Sequence, residues 1–472
     1  MLTAGIARVD ITPPVPIDLV GYSRRAEPAR HIRAPLTATA LALGSGPTTA
    51  VVVAADVPFL LPAHADRLRT EIGDALGTPA DHVMISVSHT HGGPTTHTHG
   101  VKIGGRQRER SANERVFIDS FPGHLVTAAI QAAGSMEPVM AAGGVGTVDL
   151  AVNRREKNAE GRVILGWNPD KPVDRDVGVL RLDRLDGTTM AVVANYACHP
   201  VVVGPEDPGV NPDFPGAMRD VVEQVTGATC LFLQGGCGNL LPLQGFFDHP
   251  GPEKAFGRKL AVEVLHVLEQ IDPIARRMER IDYGSVTPIV LHRQVAIEPQ
   301  PDQALAAVGK VVDLPLKPLP SLADLEAERD GYQRELDEAR LAGADRVALN
   351  PIEYHLNWAE DAISQVQQGE AAPKVPAFLQ ALRIGDTVIA TMPGEAFSEL
   401  SIEVKERSAA TTTLFSAYTN GVLTYMPPAA EYPDGGYECD YAHHSYGLIE
   451  QIAPQSERIL VETSVELISA TW

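Results

Sequence analysis

The sequence predicts a mixed α/β fold: a single large domain of mixed β-sheets flanked by helices. Three observations predict it. Short β-branched apolar runs alternate with segments of helical period through the amino-terminal half. No internal repeat or flexible linker divides the 472 residues. A chain with 44% hydrophobic and 21% charged residues is that of an ordinary globular protein with a sizeable core.

In chain order, residues 7–12 alternate as a strand and stop at Pro13-Pro14. Residues 37–43 and 49–55 read as a hairpin turned at Gly44-Ser45-Gly46-Pro47. Residues 62–76 have apolar positions at helical spacing, residues 83–87 are a buried strand, and residues 117–133 are a second helix. Strands are expected at 143–152, 177–185, 189–196 and 229–234, with Asp186-Gly187 as a turn. Helices are expected at 216–225 and 252–270. From about 300 to 376 the composition changes: a proline-rich run precedes Ser321-Leu322-Ala323-Asp324, which resembles a capping box, and Leu325, Tyr332, Leu336 and Ala339 form one stripe. This stretch reads as a helical insertion packed on the surface. Strands return at 375–383 and 387–392.

Sixty acidic against 39 basic side chains leave a formal charge of −21. That field repels phosphate backbones and anionic lipid surfaces, so neither nucleic acid nor membrane is expected as a partner. No stretch reaches the roughly 20 apolar residues of a membrane span. The amino terminus lacks a basic start and apolar core, and the four cysteines form no Cys-x-x-Cys pair, so a reduced, cytoplasmic protein is expected.

The chemistry concentrates where apolar strands break. The strand 83–87 runs into Ser88-His89-Thr90-His91-Gly92-Gly93-Pro94. Alternate residues of an extended chain point the same way, so His89 and His91 can face one cavity, and neutral imidazole is a common metal ligand. Tyr196-Ala197-Cys198-His199-Pro200 repeats the pattern, with Asp213 in a rigid turn nearby. Met392-Pro393-Gly394-Glu395 places a carboxylate after a strand, at an expected helix start. Gly235-Gly236-Cys237-Gly238-Asn239 follows another strand, without the spacing or lysine of a phosphate loop. Asn420 to Pro428 is a short apolar run before a tyrosine-rich loop.

Taken in order, these segments, together with Ala4 to Pro14 and Asn153-Arg154, resemble the catalytic domain of neutral ceramidases and the broader ceramidase-like zinc hydrolases. The resemblance covers nearly the whole chain. It implies one catalytic Zn2+ held by two histidines, a glutamate and a tyrosine, with a place left for water. By motif these are His89, His199, Glu395 and Tyr425, the last because Tyr425, Tyr432 and Tyr437 repeat the family's spacing. It further implies that Tyr437 donates near the substrate carbonyl. Apart from the resemblance, Arg154 and Tyr437 are expected to hold the developing oxyanion, and His91, beside a ligand, to relay a proton. His97, His99, Asn239, His443 and His444 are expected around the substrate.

Two features depart from the family. Leu241 stands where the Gly-Asp/Asn-x-Ser-Pro pattern has its serine, and the chain ends soon after the tyrosine loop, without the ceramidases' immunoglobulin-like domain. The expectation is therefore a zinc hydrolase cleaving an amide bond of a small soluble molecule through a metal-activated water. An esterase or lactonase on the same site, or a non-catalytic metal-binding descendant, are the alternatives.

Overall fold

The computed structural model describes residues 1–25, 27–97, 109–284, 286–298, 300–369 and 373–472; the expectation for His99 lies outside them. Eight strands form the principal sheet. Edge to edge they are Thr229–Gln234, Thr189–Tyr196, Asp176–Arg184, Glu137–Thr147, Thr3–Asp10, Thr37–Ser45, Thr48–Ala55 and Val83–Val87. The six inner strands pair antiparallel with one another, whereas each edge strand pairs parallel with its neighbour. Parallel pairing requires a crossover, and here helices Pro62–Leu76 and Asp213–Thr226 supply one at each edge.

A second sheet of four strands, Leu305–Pro315, Lys374–Ile384, Thr387–Thr391 and Thr412–Ser416, packs against one face of the first. Leu41, Leu43, Val52, Leu180, Val193 and Leu231 of the large sheet meet Leu382, Ile384, Ile389 and Leu414 of the small one. Close approach needs small residues: a Cβ on Gly178 would stand 2.3 Å from the Leu414 side chain. Helices Ala112–Gly134, Asp213–Thr226 and Pro252–Gln270 cover the outer face of the large sheet, and Ser456–Ala470 covers that of the small one. The result is a helix–sheet–sheet–helix stack with its apolar core on both sides of the large sheet.

The large sheet is so curled that its two edge strands, Val83–Val87 and Thr229–Gln234, touch. Segment 417–420 stitches them: the Ala417 amide donates to the Gln234 carbonyl (2.9 Å) and the Asn420 amide to the Ile85 carbonyl (2.7 Å).

The helices expected at 62–76 and 252–270 have those bounds, each with proline in its first turn. Three expectations change, and one element is new. The strand expected at 143–152 is two: Glu137–Thr147 stays in the large sheet and Ala151–Lys157 joins Val163–Asn168 and Leu240–Pro242 in a separate three-stranded sheet. The insertion read as helical from about 300 begins with a strand, because Val308, Val311 and Val312 continue the small sheet beside Lys374–Ile384. Its helical part is the pair Leu322–Leu341 and Arg346–Gln368, with Ser321 accepting from the Asp324 amide as N-cap. Glu395 does not start a helix: its amide donates to the Thr424 carbonyl and it pairs parallel with Tyr425, so the helix begins at Ser398. Finally, Arg276–Tyr283 and Ile289–Ala296 form an exposed antiparallel hairpin that no expectation covered.

Candidate metal centre

Strands of both sheets end at one place, which is where ligands collect in α/β folds. His89 follows Val83–Val87, His199 follows Thr189–Tyr196, the Gly235–Cys237 turn follows Thr229–Gln234, Glu395 follows Thr387–Thr391, and Tyr418 follows Thr412–Ser416. The curl of the large sheet brings His89 and His199, from its two opposite sides, to a ring separation of 5.0 Å. Ring nitrogens of His89, His91 and His199 all lie within 4.8 Å of one another, close enough to share a metal ion.

The three imidazoles differ in how they are held. Nδ1 of His89 is 2.6 Å from the Pro58 carbonyl, and Nδ1 of His199 is 2.7 Å from the Cys237 carbonyl. Each carbonyl fixes the tautomer that leaves Nε2 as a free lone pair, the arrangement that metal-ligating histidines require. Both Nε2 atoms face Oε2 of Glu395, at 3.6 and 3.3 Å. Among the described residues neither ring nitrogen of His91 has a hydrogen-bond partner, although both are shielded from solvent. Its ring packs on Tyr22 at 4.7 Å, and Gly21 gives it room: a Cβ there would stand 2.6 Å from Nδ1.

Glu395 is fully buried. Burial pushes its carboxyl up, but the imidazoles of His89 and His199 and the Arg154 guanidinium outweigh burial and hold it down at about 2. Tyr418 donates to Oε2 (3.1 Å) and Tyr446 to Oε1. His89 and Tyr418 both have left-handed backbones, φ 62° and 53°. Such strain is kept only where the surroundings dictate the conformation, and here it falls on two side chains that face one carboxylate.

Tyr425 lies opposite Glu395 in the two-stranded pairing, and its phenol accepts from Arg154 at 3.1 Å. Burial and then Glu395 push that phenol well above its usual range. Arg154 is anchored through Nε to Glu438 (2.7 Å), which also accepts from Arg155 (2.8 Å). Arg155 continues to Glu431 (2.7 Å), so a buried network of charges holds the tyrosine loop against the strand Ala151–Lys157. Tyr437 packs edge-on to Tyr425 at 5.4 Å, inside the same cluster.

The remaining expected residues are placed differently. The Asn239 amide donates to Glu399 (2.8 Å) and accepts from the Ser398 amide (2.9 Å), so it fixes the start of a helix. His443 is buried, and His444 stacks on Trp358 of the helical pair at 4.5 Å. His97 is near Phe59 and hydrogen-bonds Thr95 (3.2 Å). Leu241 is half-buried on a strand opposite Val152. Asp213 accepts from the Val203 and Phe214 amides, and burial raises it to about 7. Cys237 is buried, with its thiol pushed up by that burial and 3.1 Å from the Tyr418 hydroxyl. Sequence reasoning missed Tyr418 and Tyr446. Tyr418 carried the same signal as the others, a strand (Thr412–Ser416) ended by Asn420-Gly421; Tyr446 carried none.

Buried histidines give the metal-free protein an acid limit. Burial lowers His64, His89 and His443 to about 4. Their unfolded counterparts protonate near about 6.5, so between those values the unfolded chain binds more protons. Depressed folded values therefore mean stability that is full above pH 6.5 and is lost progressively toward pH 4. Urea midpoints of chelator-treated protein should fall steadily between pH 7 and pH 5; a flat profile would contradict this.

By sequence the chain matches no family model and no curated protein. By structure it is similar to neutral ceramidase from Pseudomonas aeruginosa, at TM-score 0.65 and 15% identity, over 100% of this chain and 74% of that one. It is likewise similar to a ceramidase complexed with C2, at TM-score 0.67 and 15% identity, over 99% of this chain and 75% of that one. The chain therefore has the fold of the neutral ceramidases.

Proposed function

We propose that this protein is a zinc-dependent hydrolase that cleaves an amide bond of a small soluble molecule. The observation that carries the reading is the pair of carbonyl-anchored histidines, His89 and His199, aimed at one oxygen of a buried, ionised Glu395. These are donors that suit zinc, on the fold of proteins named as ceramidases. His89, His199, Glu395 and Tyr425 would hold the ion. Zinc there would bring water to a nucleophilic state near neutral pH and polarise the scissile carbonyl.

The other residues have separate tasks. His91, buried and without hydrogen bonds, receives the proton that the nucleophile gives up and returns it to the leaving nitrogen. Arg154, held rigid by Glu438, and Tyr437, kept protonated by burial, face the developing oxyanion as donors. The absent hydroxyl at Leu241 and the strongly acidic chain favour a soluble substrate over a lipid. A cytoplasmic setting accords with four free, buried cysteines. Among the described residues, no helix is long and apolar enough to cross a membrane.

The test is metal analysis of purified protein, followed by turnover on N-acyl, ester, lactone and glycoside panels. About one zinc per chain is expected. Chelation should abolish turnover while circular dichroism stays unchanged, because the core of a chain this long does not depend on one ion. Zinc-free protein with full activity would overturn the reading, and preference for esters or lactones would move it to the alternative bond.

A further inference from the structure

Tyr446 donates to Glu395 from a half-buried position. His89, His199, Tyr418 and Tyr425 are all buried around that carboxylate, whereas Tyr446 is half-buried. The two carboxylate oxygens are also divided in use. Oε2 faces both imidazoles, and Oε1 accepts from the Tyr446 hydroxyl.

Tyr446 is itself held by two contacts of different origin. Its ring packs edge-on against Phe59, 5.6 Å away and just after the Thr48–Ala55 strand, and lies 6.2 Å from Tyr425. Its segment, Ala442–Tyr446, is fastened to the helix Arg346–Gln368. There the Tyr354 hydroxyl is 2.9 Å from both the Tyr441 carbonyl and the Ser445 hydroxyl, and His444 lies flat on Trp358. The second helix of the pair thus grips the segment that carries Tyr446.

We propose that Tyr446 is a positioning residue of this centre: its hydroxyl fixes Oε1 of Glu395, which leaves Oε2 aimed at the metal. The helical pair holds Tyr446 in that place. This rests on the zinc reading above. A carboxylate ligand with its second oxygen bound cannot rotate away, and loss of such an outer contact weakens metal binding by about 10- to 100-fold. Tyr418 does not replace it, since its hydroxyl is on Oε2.

The experiment measures zinc affinity of the metal-free, full-length protein by competition with a chromophoric chelator. Tyr446→Phe keeps the ring against Phe59 and removes only the hydroxyl. Its zinc Kd should rise about 10- to 100-fold, with the urea midpoint of the metal-free form unchanged. Tyr354→Phe, which touches neither Glu395 nor His89, His91 or His199, should raise Kd in the same direction by a smaller factor. A Tyr446→Phe Kd within twofold of the parent overturns the positioning role. An unchanged Kd in Tyr354→Phe removes the helical pair from it. Absence of zinc binding in the parent protein is a different result: it refutes the zinc reading, and this inference with it.

Discussion

Replacing Glu395 by glutamine should reduce zinc affinity by at least about 100-fold, more than the loss of an outer hydrogen bond costs. The carboxylate is the one formal negative charge set against the two anchored imidazoles, and a carboxamide is a far weaker ligand. The fold should survive. Glutamine keeps the shape, and one of the two hydroxyls, Tyr418 or Tyr446, can still donate to its single carbonyl oxygen. His89→Ala and His199→Ala should match it in effect, whereas His91→Ala should retain zinc and lose turnover, since no carbonyl anchors that ring. Competition titrations on the four variants decide this. If His91→Ala loses zinc as fully as His89→Ala, then the three-histidine cluster is the ligand set and the proton relay is lost from the scheme.

Glu438→Ala should destabilise the protein by roughly 3–5 kcal/mol, the range for removing one partner from a buried ion pair. Its carboxylate is wholly buried, with one oxygen on Arg154 and the other on Arg155. Without it, Arg154 keeps only the Tyr425 hydroxyl as a side-chain partner, and Arg155 must rely on Glu431 and the Gly435 carbonyl. Glu466→Ala is the contrast. Its pairing with Lys310 is exposed, so its removal should cost under about 1 kcal/mol. Urea denaturation of both variants gives the comparison. Equal, small losses would mean that the Arg154–Glu438–Arg155 network is relaxed by water.

Much of the candidate site was legible because each piece is local. A β-branched run that ends in Gly or Pro marks a strand end, and the polar residue at the break belongs to whatever lies beyond it; His89, His199 and Glu395 were singled out in this way, and the fold brings them together. Tyr418 follows the same pattern and was passed over, because its own break, Asn420-Gly421, was taken as the start of the next segment. Asn239 was expected at the substrate, and its amide is found at a helix start. A buried amide beside a glycine loop looks the same in sequence whether it faces a ligand or caps a helix, and Ser398 and Glu399 lie about 160 positions away. The hairpin at Arg276–Ala296 has no apolar alternation, because its faces are exposed and burial imposed no pattern to read.

The sequence by itself determined most strands of the large sheet, the crossover helices and the polar residues at several strand ends, since period, proline and glycine act over a few residues. Tertiary structure decided which of those ends meet. His89 and His199 follow strands on opposite sides of an eight-stranded sheet, and only the curl that brings its edges together sets their rings 5.0 Å apart. It also decided that Tyr446, in a short turn with no signal of its own, would contact Glu395. Sheet curvature and helix docking sum small terms over the whole chain, and no local window of residues contains them.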